Sequence, residues 1–211
     1  MKKIISVLLS GVMILGLTSC GSTKKASDGV ATVSSESSEK ENEKVVDGVK
    51  FTIGTISSED IKGDMNSDGS MNIEKGEYFQ FGTEVKNASD YKYVVIDIKV
   101  ENTTDKVVKL FQTGWNASLK DGYELKNIKV TDKLNNEQVP SKYAFDAQVK
   151  IPMEKNLKAD EIKLKYNLKD YSNLPKVIKA AAEGKTKEDI QKEYPELYKD
   201  NFIDFGTLKI K

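Results

Sequence analysis

Apolar and polar residues alternate with a period of two along most of the chain from Val45 onward. That spacing turns one face of an extended strand to a core and the other to water. Val49, Phe51 and Ile53 alternate with Lys50 and Thr52, and Phe79, Phe81, Thr83 and Val85 alternate with Gln80, Gly82 and Glu84. Val94, Ile96, Ile98 and Val100 make the strongest run. Trp115, Ala117 and Leu119 lead into Asp121-Gly122 and then Tyr123 and Leu125, the pattern of a hairpin whose two turn residues both need positive φ. Tyr143 to Ile151 reads as a strand that Pro152 ends or places at a sheet edge. Ile162, Leu164, Tyr166 and Leu168 give another, and Ile203 to Ile210 a last one with a bulge at Gly206. About eight half-buried strands joined by turns predict a mainly β, antiparallel β-sandwich.

One stretch departs from this period. Between about residues 175 and 199 the apolar positions fall at helical spacing: Leu174, Val177, Ile178 and Ala181, then Ile190, Tyr194, Leu197 and Tyr198. Pro175 suits a first helical position, Gly184 a stop, and Thr186 with Asp189 resembles a capping box. Pro195 splits or kinks the second helix. The prediction is a short helical insertion before the final strand, its apolar stripes packed against the sandwich.

The N-terminal pattern is different again. Lys2 and Lys3 precede an apolar run from Ile4 to Leu17 broken only by Ser and Gly, too short for a membrane span of about 20 residues but suited to a secretory signal. Leu17-Thr18-Ser19-Cys20-Gly21 follows, and it resembles the lipobox of bacterial lipoproteins. The resemblance implies cleavage after residue 19 and a diacylglyceryl lipid on the Cys20 thiol. Two acyl chains anchor stably where one is marginal. The expected address is the outer face of the cytoplasmic membrane of a Gram-positive-type bacterium. Residues 20–44 are rich in Ser, Thr, Lys and Glu and lack aromatics, which reads as a flexible tether. Residues 45–211 remain for one folded domain.

Composition removes several chemistries. All 33 basic residues are Lys, and the chain has no His and one Cys. Nucleophile systems that rely on imidazole are therefore excluded, as are zinc sites of the usual nitrogen and sulfur ligands and any internal disulfide. Without Arg there is no bidentate guanidinium fork. The formal net charge of zero gives no basic field for nucleic acid.

Tyr93 to Asp105, with the sequence YVVIDIKVENTTD, resembles a segment of immunoglobulin-like domains in uncharacterised Gram-positive lipoproteins. Leu119-Lys120-Asp121-Gly122-Tyr123-Glu124 resembles the hairpin that follows it in that group, which is similar to the secreted immunoprotective-antigen fold. The likeness spans roughly Val46 to Leu168. It implies an immunoglobulin-like antiparallel β-sandwich and an extracytoplasmic address, and no activity or catalytic residues.

The most pointed polar cluster runs from Gly63 to Asn72. It matches the first nine positions of an EF-hand or dockerin calcium loop, with Asp64, Asn66 and Asp68 at alternate positions, then Gly69, the Ser70 carbonyl and Asn72. Lys75 stands where the bidentate carboxylate belongs, and no amphipathic helix follows. The competing reading is a loop of residues that favour turns by themselves. Bound Ca²⁺ would be held at about 0.1–1 mM. Trp115 sits in a strand pattern and is expected in the core. Tyr91 and Tyr93 precede a strand whose even positions face inward, which makes them candidates for a binding surface. Three Asn-x-Ser/Thr triplets, at Asn87, Asn102 and Asn116, read as polar turns.

Together these features predict a lipid-anchored, non-catalytic protein with a binding or envelope-structural role, with Ca²⁺ as a candidate cofactor beside the covalent lipid. The membrane, an envelope protein or a wall polymer are the expected partners, and nucleic acid is not. The alternatives are a carboxylate-dependent glycan hydrolase and an inhibitor or chaperone of secreted enzymes. A hydrolase needs two carboxyls about 5–9.5 Å apart across a cleft.

Overall fold

The computed structural model describes residues 42–211. Cys20, the signal segment and nearly all of the tether lie outside them. In chain order the strands are β1 (Glu43–Val46), β2 (Val49–Asp60), β3 (Tyr78–Phe81), β4 (Glu84–Asn87), β5 (Tyr91–Asn102), β6 (Val108–Lys109) and β7 (Trp115–Ser118). Then come β8 (Glu124–Leu125), β9 (Lys129–Val130), β10 (Gln138–Val139), β11 (Ala144–Glu154), β12 (Glu161–Asn167) and β13 (Phe202–Lys209). Helices α1 (Leu174–Ala182) and α2 (Lys187–Glu193) lie between the last two strands.

Two antiparallel sheets carry the core. One has the order β1-β2-β5-β11-β9 and the other β13-β12-β7-β8. Even positions of β5 from Val94 to Val100 face inward, against Phe51 and Ile53 of β2 and odd positions of β11 from Phe145 to Met153. From the second sheet come Trp115, Ala117, Ile162, Leu164, Tyr166, Ile203 and Phe205, in the same apolar cluster. Phe51 bridges the two layers, with ring centroids 5.6 Å from Tyr166, 5.9 Å from Phe205 and 6.2 Å from Trp115. The alternation along the chain thus delivers the predicted sandwich, with Trp115 in its core.

Several local features differ from the pattern. Strand β1 begins at Glu43, inside the stretch that composition assigns to the tether. Asp47 and Gly48 both have positive φ, so β1 and β2 meet through a two-residue Asp-Gly turn. The run Phe79 to Val85 is two strands. Gly82, at φ +66, reverses the chain so that Phe81 pairs with Glu84. At Asp121-Gly122 only Gly122 has positive φ, and Leu119 and Tyr123 close a three-residue loop instead of a two-residue one. Strand β12 shifts register between Lys163 and Lys165 opposite Gly206, the expected bulge. Strand β9 covers β11 only at Val149 and Lys150, so Pro152 stands beside an open edge.

The helical insertion is present with its predicted signals. The Thr186 hydroxyl accepts from the Asp189 amide at 3.2 Å and donates to the Asp189 carboxylate at 2.8 Å. Helix α2 stops before Pro195, which starts a 3-10 turn. Contrary to expectation, the stripes do not join the apolar core of the sheets. Ala180 and Ile190 are buried but belong to neither apolar cluster of the strands, α2 packs on α1 and on the 3-10 turn that follows it, and Ile178 stays 61% exposed. Each helix is two turns long, so its stripe covers one or two residues and closes on its neighbour.

Asn102 is the buried polar side chain of the described core. Its Nδ2 donates to the carbonyls of Lys106 at 2.7 Å, Pro140 at 3.0 Å and Val139 at 3.1 Å. Its Oδ1 accepts from the Thr104 amide at 3.0 Å and the Thr104 hydroxyl at 2.7 Å. One side chain thereby ties the end of β5 to its following turn and to the β10–β11 connection. Replacing Asn102 with Ala leaves those groups without a partner and should cost about 3 kcal/mol, read as a lower urea midpoint at unchanged slope.

Tyr166 supplies a pH signature. Burial, offset in part by the bond from the Phe111 amide to its hydroxyl at 2.9 Å, pushes this phenol up to about 12. The unfolded chain ionises it near 10, so the folded state holds the proton more tightly. Its contribution is complete below pH 10 and is lost as pH rises from about 10 to 12, by about 2–3 kcal/mol in total. Stability measured across that window should fall in the native chain. In Tyr166→Phe the fall should be shallower, from a baseline lowered by about 1 kcal/mol for the orphaned Phe111 amide.

Candidate functional site

The turn from Asp64 to Asn72 hangs below β2 and leads into β3. Its chain crosses itself closely: the Asp64 and Met65 amides both donate to the Tyr78 carbonyl, at 2.8 and 3.1 Å, and the Asn72 amide donates to the Asp64 carbonyl at 2.8 Å. Gly63 permits the crossing, since a Cβ there would stand 2.2 Å from the Tyr78 carbonyl oxygen and 2.5 Å from that of Gly76. Of the five calcium-loop residues, four join in one chain of side-chain bonds. Ser70 donates to Asp68 Oδ1 from its hydroxyl at 2.6 Å and its amide at 2.9 Å. Asn66 Nδ2 donates to the Ser70 hydroxyl at 2.8 Å, and Asn72 Nδ2 donates to Asn66 Oδ1 at 2.7 Å. Asp64 enters this network through its backbone. The two Ser70 bonds hold the Asp68 carboxyl below its usual range. Three of the oxygens that a cation would take are thus accepting protein hydrogens, the third being Asn72 Oδ1 from the Lys75 amide at 3.2 Å. No cluster of three acidic groups suited to a metal occurs among the described residues.

The two candidate tyrosines have different surroundings. Both point away from the main core, as their odd positions in β5 require. Tyr93 lies half-buried on the outer face of the first sheet, with the Lys129 and Lys150 ammonium groups 5.8 and 6.0 Å from its ring centre. Lys150 is also paired with Glu59 at 2.7 Å. Tyr91, by contrast, is only 7% exposed. The β3–β4 hairpin folds over it, and Phe79 and Phe81 pack on its ring at 5.3 and 5.4 Å between centres. Its hydroxyl donates to Glu154 Oε1 at 3.1 Å, and burial raises its pKa. Tyr91 is therefore part of a second small core and not of an open face. The cause is the Gly82 reversal, which turns an expected straight strand into a cover.

Around that cover the surface is hollowed on both sides of β8. On one side, a cavity of about 350 Å³ is walled by Phe81, Tyr91, Tyr123, Pro152, Met153 and Leu157. On the other, a groove of about 560 Å³ runs over the outer face of the second sheet past Gln112, Asn116, Ser118, Asn127, Lys163 and Lys165. Glu124, Leu125 and Lys126 belong to both, so β8 is a ridge between an aromatic recess and a polar groove. Tyr123 stands 53% exposed at the loop before this ridge, fixed by its amide's 3.0 Å bond to Asp121 Oδ1. Register explains the polar side: Ser118 pairs with Lys163 and Glu124, and Asn116 with Lys165, all on the outward face. Asn127, at φ +58, closes the groove against the Gly82 turn, where an added Cβ would meet its side-chain oxygen at 2.9 Å. A larger recess of about 800 Å³ lies below the helices, lined by Asp47, Asp105 and Asp170 among lysines and the exposed Val107.

No protein-family model matches the sequence, and no curated protein matches it. Solved structures of remote similarity include three of bacterial proteins. The yjhA protein from Bacillus subtilis is 14% identical, with 82% of this chain and 99% of that chain covered and a TM-score of 0.48. The ycdA protein from Bacillus subtilis, named as a candidate lipoprotein, is 12% identical at a TM-score of 0.39, and the match covers 64% of this chain but 35% of that chain's length. An uncharacterised β-sandwich protein from Clostridium difficile is 13% identical, over 59% of this chain and 82% of that one, at a TM-score of 0.35. These are remote likenesses of fold.

The sequence reading passed over Tyr123, Lys126 and Lys163 as site residues. The Asp-Gly turn beside Tyr123 was the available signal. What could not be read was that β8 would be two residues long and leave hollows on both its flanks.

Proposed function

We propose that the chain is a non-catalytic, lipid-anchored protein of the outer envelope that holds an envelope glycan in the double site astride β8. The observation that carries this reading is the shared Glu124–Lys126 ridge, with aromatic walls on one side and amide, hydroxyl and ammonium groups on the other. Flat aromatic faces suit the apolar faces of sugar rings, and neighbouring amides suit hydroxyls. The anchor rests on the lipobox-like segment ending in Cys20, which supports an address outside the cell on a Ser- and Glu-rich tether. The resemblance to lipoproteins of the immunoprotective-antigen fold agrees with that address. Binding is favoured over hydrolysis because a glycosidase acid needs a raised carboxyl pKa. Where a carboxyl of the described residues shifts clearly, as at Asp60, Asp68, Glu84, Glu101, Glu193, Asp200 and Asp204, it shifts down.

Ca²⁺ at the Asp64–Asn72 turn is a separate proposal. A cation there would replace the Asn72–Asn66 and Ser70–Asp68 bonds as the link across the turn. The melting temperature should then rise in millimolar Ca²⁺ over chelator, and Asp68→Ala should abolish the rise; equal temperatures in both conditions would remove Ca²⁺ from the account.

The binding proposal is tested by sedimenting the full chain with purified cell-wall sacculi. The native chain should be retained without releasing reducing sugar ends. Tyr123→Ala combined with Lys126→Gln should cut retention at least about fivefold at an unchanged melting temperature, a loss of roughly 1 kcal/mol. Equal retention of native and variant chains would contradict the site, and release of reducing ends would favour the hydrolase.

A further inference from the structure

The charge inside the polar groove narrows the ligand. Three lysines, Lys126, Lys163 and Lys165, line it against one carboxylate, Glu124. Lys165 is held by Asp204 at 3.0 Å, from outside the groove. Lys126 and Lys163 make no ion pair with a described residue, whereas Lys50 and Lys150 of the first sheet are paired at 3.0 and 2.7 Å. Three ammonium groups against Glu124, with Asp204 outside the groove interacting with both Lys165 and Lys163, leave a local positive excess in a hollow floored by Asn116 and Ser118, on a chain of zero net charge. Lysine binds phosphate as a point charge with three donors, and a phosphate monoester carries about twice the negative charge of a carboxylate at neutral pH, so paired ammonium groups favour it.

Resting on the glycan-binding reading above, we infer that the double site is selective for a phosphate-bearing sugar or polyol unit. The ring lies in the recess against Tyr123 and Phe81, and the phosphate crosses the ridge to Lys126 and Lys163. Lys126 is the hinge of this arrangement because it borders both hollows. Glu124 sets an upper limit on selectivity, since it faces the same groove and opposes the anion. It also accounts for why a free anion alone should bind poorly: the sugar's contacts are required to offset that repulsion.

The test uses the full chain and three probes in equilibrium dialysis at low salt: glucose 1-phosphate, glucose and inorganic phosphate, with glucuronic acid as a competitor. Glucose 1-phosphate should bind at least about tenfold more tightly than any other probe, and raised salt should erase most of that margin. Lys126→Gln with Lys163→Gln should remove the margin, bringing glucose 1-phosphate down to the level of glucose in the same variant. Tyr123→Ala should weaken glucose and glucose 1-phosphate alike. Equal binding of glucose and glucose 1-phosphate would overturn the inference, as would a margin that survives the double lysine variant, or glucuronic acid competing as well as the phosphate. If no probe binds while sacculi still retain the chain at this site, phosphate selectivity is wrong and the glycan reading stands. If retention is also unaffected by the site variants, both fall.

Discussion

Everything else in this domain depends on the contact of Phe51 with the second sheet. It is the inward residue of β2 that meets Tyr166, Phe205 and Trp115 together, and those three come from three different strands of the facing layer. Trp115 and Tyr166 lie 4.6 Å apart, and Trp115 and Phe205 stack at 5.9 Å. Such a cluster sets the spacing of the layers, because aromatic side chains bury large areas and cannot shrink to fill a gap. It carries a cost: the Trp115 indole nitrogen is buried with no hydrogen-bond partner. Packing outweighs that penalty here, which fits a role for Trp115 as volume and not as a polar contact.

With the layers held, the periphery is free to vary, and the hollows arise there. The second sheet ends in a two-residue strand, β8, so the outer row Lys163–Ser118–Glu124 has no further neighbour. On the first sheet the β3–β4 hairpin covers Tyr91 but stops at the Gly82 turn, leaving Phe81 at the rim of the recess. The proposed site is thus bounded by two incomplete layers of cover over a complete core. A second apolar cluster, Ile61, Phe79, Ala88 and Tyr91, anchors the hairpin, with Phe81 packed against it.

Strand periodicity made the core legible in advance. Val94 to Val100, Ile162 to Leu168 and Ile203 with Phe205 each alternate cleanly, and each lands inward. Gly206 and Thr186 were equally readable because a positive φ and a capping hydroxyl leave local residue signatures. Other features turn on long-range partners. Asn102 looked like a turn residue; its burial depends on the β10–β11 connection arriving beside it, far along the chain. Tyr91 looked exposed because one glycine's reversal decides whether Phe79 and Phe81 continue outward or fold back. Short strands such as β6, β9 and β10 have too few residues to show any period, yet Leu110, Ile128, Leu134 and Val139 beside them complete the core. Lys126 and Lys163 were indistinguishable from the other lysines until the hollows beside β8 placed them together.

The account's central claim is that recognition occurs astride β8. It is tested most directly by amide chemical-shift mapping of the full chain titrated with solubilised wall glycan. The account predicts shifts concentrated at Phe81–Gly82, Asn116–Ser118, Tyr123–Asn127 and Lys163, with the Asp64–Asn72 turn and the α1–α2 pair unmoved. Shifts centred on the helical insertion, or none at saturating glycan, would contradict it.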